Sequence, residues 1–427
     1  MNDPYYADDA VTLYHGDARK LPIEDDTVDL VVTSPPYFAL RSYTDDGEHY
    51  AGQVGSEATP AAFIEALMEC TAEMVRVLKP SGSIFVNLGD KYAGPNMGGP
   101  RAPLPNGGGA GAPLTKCPTL GAPTKSLIGI PWRYALACID DLGLILRAEL
   151  IWSKPNGLPE SVTDRVRRSH EQWFHFTVAP RYFSAVDEIR EKYELDSMAR
   201  SAKYGAASRG KGYAAGDRND ATRGGPMGFQ DASNLNPLGK LPGSVWTVPT
   251  QPLTVPAHLG VDHFAAFPME WPRRLIAGWC PAAVCTACGD GRRPVRSEGV
   301  RVGVTTMRAD STQIRGGGSG GGYAVAGGQT WQRTDYRITG YICACPTPTA
   351  PATPGVVLDP FGGTGTTALV ARVLGRHGIS VDLSADYCRL AQWRTTDRGE
   401  IARAMCVDKP PVQCDGQDVL DFDEVPA

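Results

Sequence analysis

The stretch VVLDPFGGTGTTALVARVLG (356–375) constrains the fold more than any other part of the chain. Its valine-rich start reads as a strand buried on both faces, and such strands sit in parallel sheets covered by helices on both sides. An acid, Asp359, and a glycine cluster follow, and a helical pattern begins straight after them. Glycine permits a tight turn and lets the backbone approach a ligand closely. The helix start adds unpaired N–H groups and the positive end of a dipole. The turn lacks the Gly-Lys-Ser/Thr of a P-loop and the spacing of GxGxxG. Asp359 would repel a phosphate, but it suits a ligand that carries an ammonium beside a carboxylate. GISVDL (378–383) then sets Asp382 at a strand end, where an acid commonly grips ribose hydroxyls. A purely structural turn with a capping acid is the plainer alternative.

The same alternation opens the chain. VDLVV (28–32) and SIFVNL (83–88) read as strands. Residues 60–79 read as an amphipathic helix with Phe63, Leu67, Cys70, Met74 and Leu78 on one face, ended by KPSG. A further helix is expected over 128–142, and strands over 146–152 and 173–179. Strand–helix units at both ends imply an α/β fold, an open and mostly parallel sheet with helices on both faces. Residues 93–125 hold 8 Gly and 7 Pro and read as a long mobile loop. Residues 316–328 read as a Gly-rich flexible excursion, and 415–427, with five acids and no base, as a disordered tail. The expected divisions are 1–183, 184–239, 240–400 with an insertion over 280–346, and 401–427.

TSPPY (33–37) closes the VDLVV strand. Pro35 and Pro36 fix two successive φ angles and hold Ser34 out of the helical region. Pro36 offers no N–H, so nearby carbonyls can point outward as acceptors. Ser34 adds a hydroxyl and Tyr37 a flat ring. Such a corner can accept hydrogen bonds from an amine and stack on a planar group, as a flipped nucleobase requires. Fixed acceptors aim the lone pair of a delocalised amine at an electrophile, and positioning supplies most of the catalysis. A polar turn at a strand end is the alternative.

With both motifs in view, the chain resembles the DNA amino-methyltransferases, which move a methyl group from S-adenosylmethionine to an exocyclic amine of cytosine or adenine. Ser34, Pro35, Pro36 and Tyr37 match that family's catalytic motif, and DPFGGTGTT (359–367) matches its cofactor loop. The catalytic motif comes first and the cofactor loop last, an order similar to the permuted β class. The resemblance implies the S-adenosylmethionine-dependent methyltransferase fold, circularly permuted. It implies cofactor contacts from Asp17 in YHGDARKLP, Thr33, Asp359, Pro360, Phe361, Gly362, Gly363, Thr364, Gly365, Thr366, Asp382 and Phe267. His263 and Pro268 fit the family pattern beside Phe267. Residues 184–239 match nothing in the family, as expected of a target-recognition segment. A serine opening the catalytic motif is more typical of cytosine N4 enzymes; adenine N6 stays open. An inactive DNA-binding relative is a second reading, and methylation of RNA or protein amides a third. Cytosine C5 chemistry uses a cysteine after proline, and none of the eleven cysteines follows one.

Double-stranded DNA is the expected partner, with a cognate restriction endonuclease as a further candidate and either a monomer or a homodimer as the assembly. The net charge of −5 excludes a basic nucleic-acid coat, so phosphate contacts must come from local clusters. Candidates are Arg165, Arg167 and Arg168, and Arg200, Lys203, Arg209 and Lys211 in a basic Gly-rich stretch. CTAC (Cys285, Cys288) and CAC (Cys343, Cys345) are candidate ligands of one structural zinc. The start MNDPYYADDA has no signal-peptide pattern and no stretch could span a membrane, so the cytoplasm is the expected compartment.

Overall fold

The computed structural model describes residues 3–39, 44–45, 48–49, 52–93, 122–123, 125–157, 159–192, 236, 238–261, 266–297, 300–305, 330–335 and 338–407. Most of the expected mobile loop and recognition segment, the glycine excursion and the acidic tail lie outside these residues. So do Arg200, Lys203, Arg209, Lys211 and His263.

The chain forms two compact units, the first built from 1–184, 244–291 and 350–427, the second from 185–243 and 292–349. The first unit holds a nine-stranded sheet. Its strands are β1 (Tyr6–Ala7), β2 (Val11–His15), β3 (Val28–Thr33), β4 (Leu78–Leu88), β5 (Ile145–Ser153), β6 (His170–Thr177), β7 (Val245–Thr247), β8 (Val356–Asp359) and β9 (His377–Asp382). Their spatial order is β1-β2-β9-β8-β3-β4-β6-β5-β7. Pairing is parallel from β2 through β4, and β6 runs antiparallel between β4 and β5.

The strand sequences explain this order. β3 is buried at all six positions, as a central parallel strand must be. Val31 faces one apolar layer with Phe63, Leu67 and Met74 of α1 (Pro60–Val77) and Tyr134 of α2 (Ile130–Asp140). Leu30 and Val32 face the other, with Trp271 and Leu275 of α3 (Glu270–Trp279) and Leu369 of α4 (Thr366–Val373). Two further helices, α5 (Ala385–Thr396) and α6 (Arg398–Met405), complete the unit. Helix α1 starts at a Thr59 cap whose hydroxyl accepts from the Ala62 N–H, with Pro60 in its first turn.

One expectation needs correction here. Helix α1 stops at Val77, and KPSG does not separate helix from strand but lies inside β4, which begins at Leu78. Leu78 pairs with Val28, so sheet hydrogen bonds outweigh the turn propensity of that tetrapeptide.

The second unit contains two antiparallel hairpins, Arg293–Arg296 with Ile338–Ile342 and Val300–Thr305 with Thr330–Asp335. The Tyr341 hydroxyl donates to Glu188 at 3.0 Å, which ties the 185–243 segment to the first hairpin. Among the described residues no helix is long and apolar enough to cross a membrane.

Candidate active site

The parallel strands end on one side of the sheet, and the residues at the ends of four of them, β2, β3, β8 and β9, surround one cavity. β2 leads into Gly16, Asp17, Ala18 and Arg19; β3 into Ser34 and Pro36; β8 into Pro360, Phe361, Gly363 and Thr364; β9 ends in Asp382, followed by Leu383 and Ser384. Gln53, Val54 and Tyr387 complete the wall. β8 and β3 are sheet neighbours, with Leu358 beside Val31, so the glycine turn and the proline corner leave adjacent strand ends. This is where open α/β sheets bind ligands.

The glycine turn needs its glycines for contact as much as for conformation. A Cβ on Gly362 would lie 1.7 Å from Ser380 Oγ of β9. Gly365 caps α4 at φ +71°, and its Cβ would press on Ala391 at 2.9 Å. The Gly363 N–H donates to Asp382 Oδ2 at 2.7 Å, and Asp382 Oδ1 accepts the Ser384 N–H at 2.9 Å. Asp382 therefore fixes the turn while lining the cavity.

Asp359 behaves otherwise. It is 1% exposed and absent from the cavity wall. Thr33 Oγ1 donates to it at 2.7 Å, Thr367 Oγ1 at 2.8 Å and the Phe361 N–H at 3.2 Å. Burial pushes its carboxyl up to about 6, against those three donors. Asp359 thus braces the turn through three of its roughly four acceptor sites, from behind the cavity wall. Thr33, as its donor, shares that role. Gly362, Gly365 and Thr366 shape the turn from behind the wall. Phe267 also stays off the wall and stands edge-on to Trp173 at 5.6 Å, in an aromatic layer with Trp246 and Trp271.

Behind the turn lies a buried ion pair that the sequence does not announce. Arg394 of α5 donates to Thr364 Oγ1 at 2.8 Å and Thr366 Oγ1 at 2.6 Å, and pairs with Glu400 of α6 at 3.1 Å.

At the proline corner, Ser34 Oγ donates to Asn87 Oδ1 at 3.2 Å. The Tyr37 hydroxyl lies 2.9 Å from both Asn87 Oδ1 and Glu171 Oε2, and Glu171 is ion-paired with Lys154. The Tyr37 ring rests on Gly89, where a Cβ would come within 2.6 Å of it. Pro35 is buried beneath the corner.

The wall offers two carboxylates, Asp17 and Asp382, and its one cation, Arg19, is paired with Asp17 at 2.6 Å. That set suits a ligand with ribose hydroxyls and a positive charge, and is poor for a polyphosphate. The residues fit S-adenosylmethionine. Gly16, Ala18, Arg19, Gln53, Val54, Leu383, Ser384 and Tyr387 were not foreseen as wall residues; of these, Ser384 and Tyr387 sit at the start of a helix directly after a predicted acid.

Of the candidate phosphate contacts, Arg165 is tied to Glu160 at 2.7 Å and lies 3.8 Å over the Tyr92 ring. Arg167 is exposed and donates to the Gly157 carbonyl, and Arg168 is half-buried. Cys285 and Cys288 belong to the first unit, on a turn closed by the Gly289 N–H donating to the Cys285 carbonyl at 2.8 Å. Cys343 and Cys345 belong to the second unit, where the Cys345 N–H donates to Cys343 Sγ at 3.4 Å.

A family model described as DNA methylase matches residues 28–282 and 351–393. The chain belongs to this N6/N4 DNA methylase family. The type II methyltransferase M.XycI of Xanthomonas campestris pv. cyanopsidis is 41% identical over 184 residues, 42% of this chain and 58% of that protein. M.Cfr9I of Citrobacter freundii is 40% identical over 185 residues, 42% of this chain and 59% of that one. The match thus spans under two thirds of the length of these two relatives. M.SmaI of Serratia marcescens is 28% identical over 386 residues, 90% of each chain.

Proposed function

We propose that this chain is a DNA methyltransferase that uses S-adenosylmethionine to methylate an exocyclic amine of a flipped base, with cytosine N4 the preferred target. One observation carries the reading: Ser34 and Pro36 of the proline corner line the same cavity as the glycine turn and Asp382. When bound, S-adenosylmethionine supplies an electrophilic methyl group on a positively charged sulfur. Asp382 would hold the ribose hydroxyls, and the backbone of Gly363 and Thr364 would lie against the cofactor. Ser34 Oγ accepts an N–H of the target amine, the prolines keep competing backbone donors away, and the Tyr37 ring carries the base face. The cytosine preference rests on the serine that opens the motif.

The test is mass spectrometry of nucleosides from DNA incubated with the purified protein and cofactor. N4-methylcytosine is expected. N6-methyladenine would keep the mechanism and overturn the base, and no modified base on several DNAs despite bound cofactor would overturn the reading. We propose further that residues 184–239 carry target recognition, and that Arg167 and Arg168 contact phosphates; Arg167→Ala would then weaken DNA binding about equally across sequences. The CTAC and CAC pairs are proposed as ligands of one structural zinc. Elemental analysis should find about one zinc per chain, lost in Cys288→Ser.

A further inference from the structure

We infer that Asn87 is a positioning residue: it takes the hydroxyl proton of Ser34 and so leaves the Ser34 oxygen facing the target amine as an acceptor only. The inference rests on the methyl-transfer reading above.

Asn87 is a buried amide near the end of β4, inside an otherwise apolar run. Chemistry fixes which way it points. Its Nδ2 donates to the Gln172 carbonyl of β6 at 3.0 Å. A carbonyl only accepts, so the amide nitrogen must face β6 and Oδ1 must face the corner. Oδ1 also only accepts, so its contacts with Ser34 Oγ at 3.2 Å and Tyr37 Oη at 2.9 Å both call on hydroxyl protons. Tyr37 has a second acceptor, Glu171 Oε2 at 2.9 Å. A carboxylate attracts a proton more strongly than an amide oxygen. The phenolic proton is shared between Glu171 and Asn87, and Oδ1 has two lone pairs, so it takes the Ser34 proton whichever acceptor the phenol favours.

The consequence lies in the cavity that Ser34 lines. A serine hydroxyl free to rotate can donate to an approaching amine as well as accept from it. Donation would occupy the nitrogen lone pair that has to attack the methyl group. With its one proton committed to Asn87, Ser34 can only accept an amine N–H, and the lone pair is left for the electrophile.

The test is the single-turnover rate of methyl transfer from tritium-labelled S-adenosylmethionine to unmodified phage DNA. Asn87→Leu, similar in size but unable to accept, is expected to slow transfer on the order of 10²-fold. Cofactor affinity should stay within about twofold of wild type, because Asn87 is not part of the cavity wall. In a Ser34→Ala background the same change should cost less than about twofold, since Asn87 acts through Ser34. A full-sized loss in that background overturns the proposal, as does a wild-type rate in Asn87→Leu alone. Asn87→Ala makes the same chemical deletion and serves if Asn87→Leu does not fold. A wild-type protein that binds cofactor and methylates no DNA sinks the underlying reading, and this inference with it; failure of the variants alone sinks only the inference.

Discussion

The glycine turn after β8 and the proline corner after β3 leave neighbouring strand ends, and they use opposite means. The glycine turn spends its polar side chains inward. Asp359 accepts from Thr33, Thr367 and the Phe361 N–H, and Thr364 and Thr366 are gripped by Arg394. What it can offer a ligand is chiefly backbone. The proline corner removes backbone donors and offers the Ser34 side chain to the cavity, with Tyr37 beside it, and Asn87 and Glu171 hold the two from behind. A loop that must come close to a ligand hides its side chains; a corner that must act on a substrate displays them. Damage to the first should therefore appear in stability and cofactor binding together, and damage to the second in rate alone.

The largest effect is expected behind the glycine turn. Arg394→Met removes the more buried of the two cations paired with Glu400, leaving Arg403 at 3.4 Å, and it removes two donors to the turn. Fully stranding one member of a buried pair costs about 3–5 kcal/mol, and Arg403 offsets part of it, so urea unfolding should shift by up to that amount and cofactor affinity should fall with it. Unchanged stability would mean that the turn is not held from behind. Next comes Ser34→Ala at the corner. Losing one fixed hydrogen-bonding group at a reacting centre costs about 10²–10³ in rate. Equilibrium dialysis should find cofactor binding intact, and a parallel drop in affinity would erase the contrast between the two loops.

Which parts of this were legible in the sequence follows from the range over which each residue acts. The glycine turn, Ser34 and Asp382 were readable because a strand end, a loop and its chemistry lie within a few consecutive residues. Arg394 was not, since its partners Thr364 and Thr366 lie 30 and 28 residues away and only helix packing brings them together. Asn87 left a faint signal, a polar side chain inside the apolar run SIFVNL, which nothing local explains. Asp359 is legible as an acid before the turn, but spacing cannot tell that three donors surround it. The packing of Phe267 is not legible, because a family pattern fixes order along the chain while the aromatic layer around Trp173 decides where the ring goes.

The hidden acid of the glycine turn gives a pH signature of its own. The folded carboxyl of Asp359 sits at about 6, above its usual 3.8. The unfolded chain therefore loses this proton first as pH rises. Stability from this group is intact below 3.8, declines between about pH 4 and 6, and ends lower by about 3 kcal/mol. Asp359→Asn cannot titrate, and Thr367 can turn its hydroxyl to the Val32 carbonyl, 3.3 Å away. Relative to wild type, the variant should gain about 3 kcal/mol of unfolding free energy across that window. Buried His175 works in the opposite sense. Its ring is pushed down to about 3, so its contribution is lost as pH falls below 6.5. The parent and Asp359→Asn share that effect, and it cancels in their difference. A pH-independent difference would mean that Asp359 is not confined as the three donors imply.

The smallest expected effect sharpens the comparison most, because it separates contact from conformation within one turn. Gly362→Ala brings a methyl group into Ser380 Oγ. Overpacking of this kind costs about 1–3 kcal/mol, and the backbone must move away from the cavity to relieve it. A lower melting temperature and weaker cofactor binding are expected together. Ser380→Ala removes the oxygen and leaves Ser380 Cβ as the next neighbour at 3.0 Å. The double variant should therefore recover most of both losses. Gly365→Ala offers no such rescue, since its φ of +71° is unfavourable for any side chain whatever the space around it. If Ser380→Ala restores melting and not binding, the bare Gly362 backbone itself touches the cofactor; if it restores both, Gly362 serves only to let β9 pack against the turn.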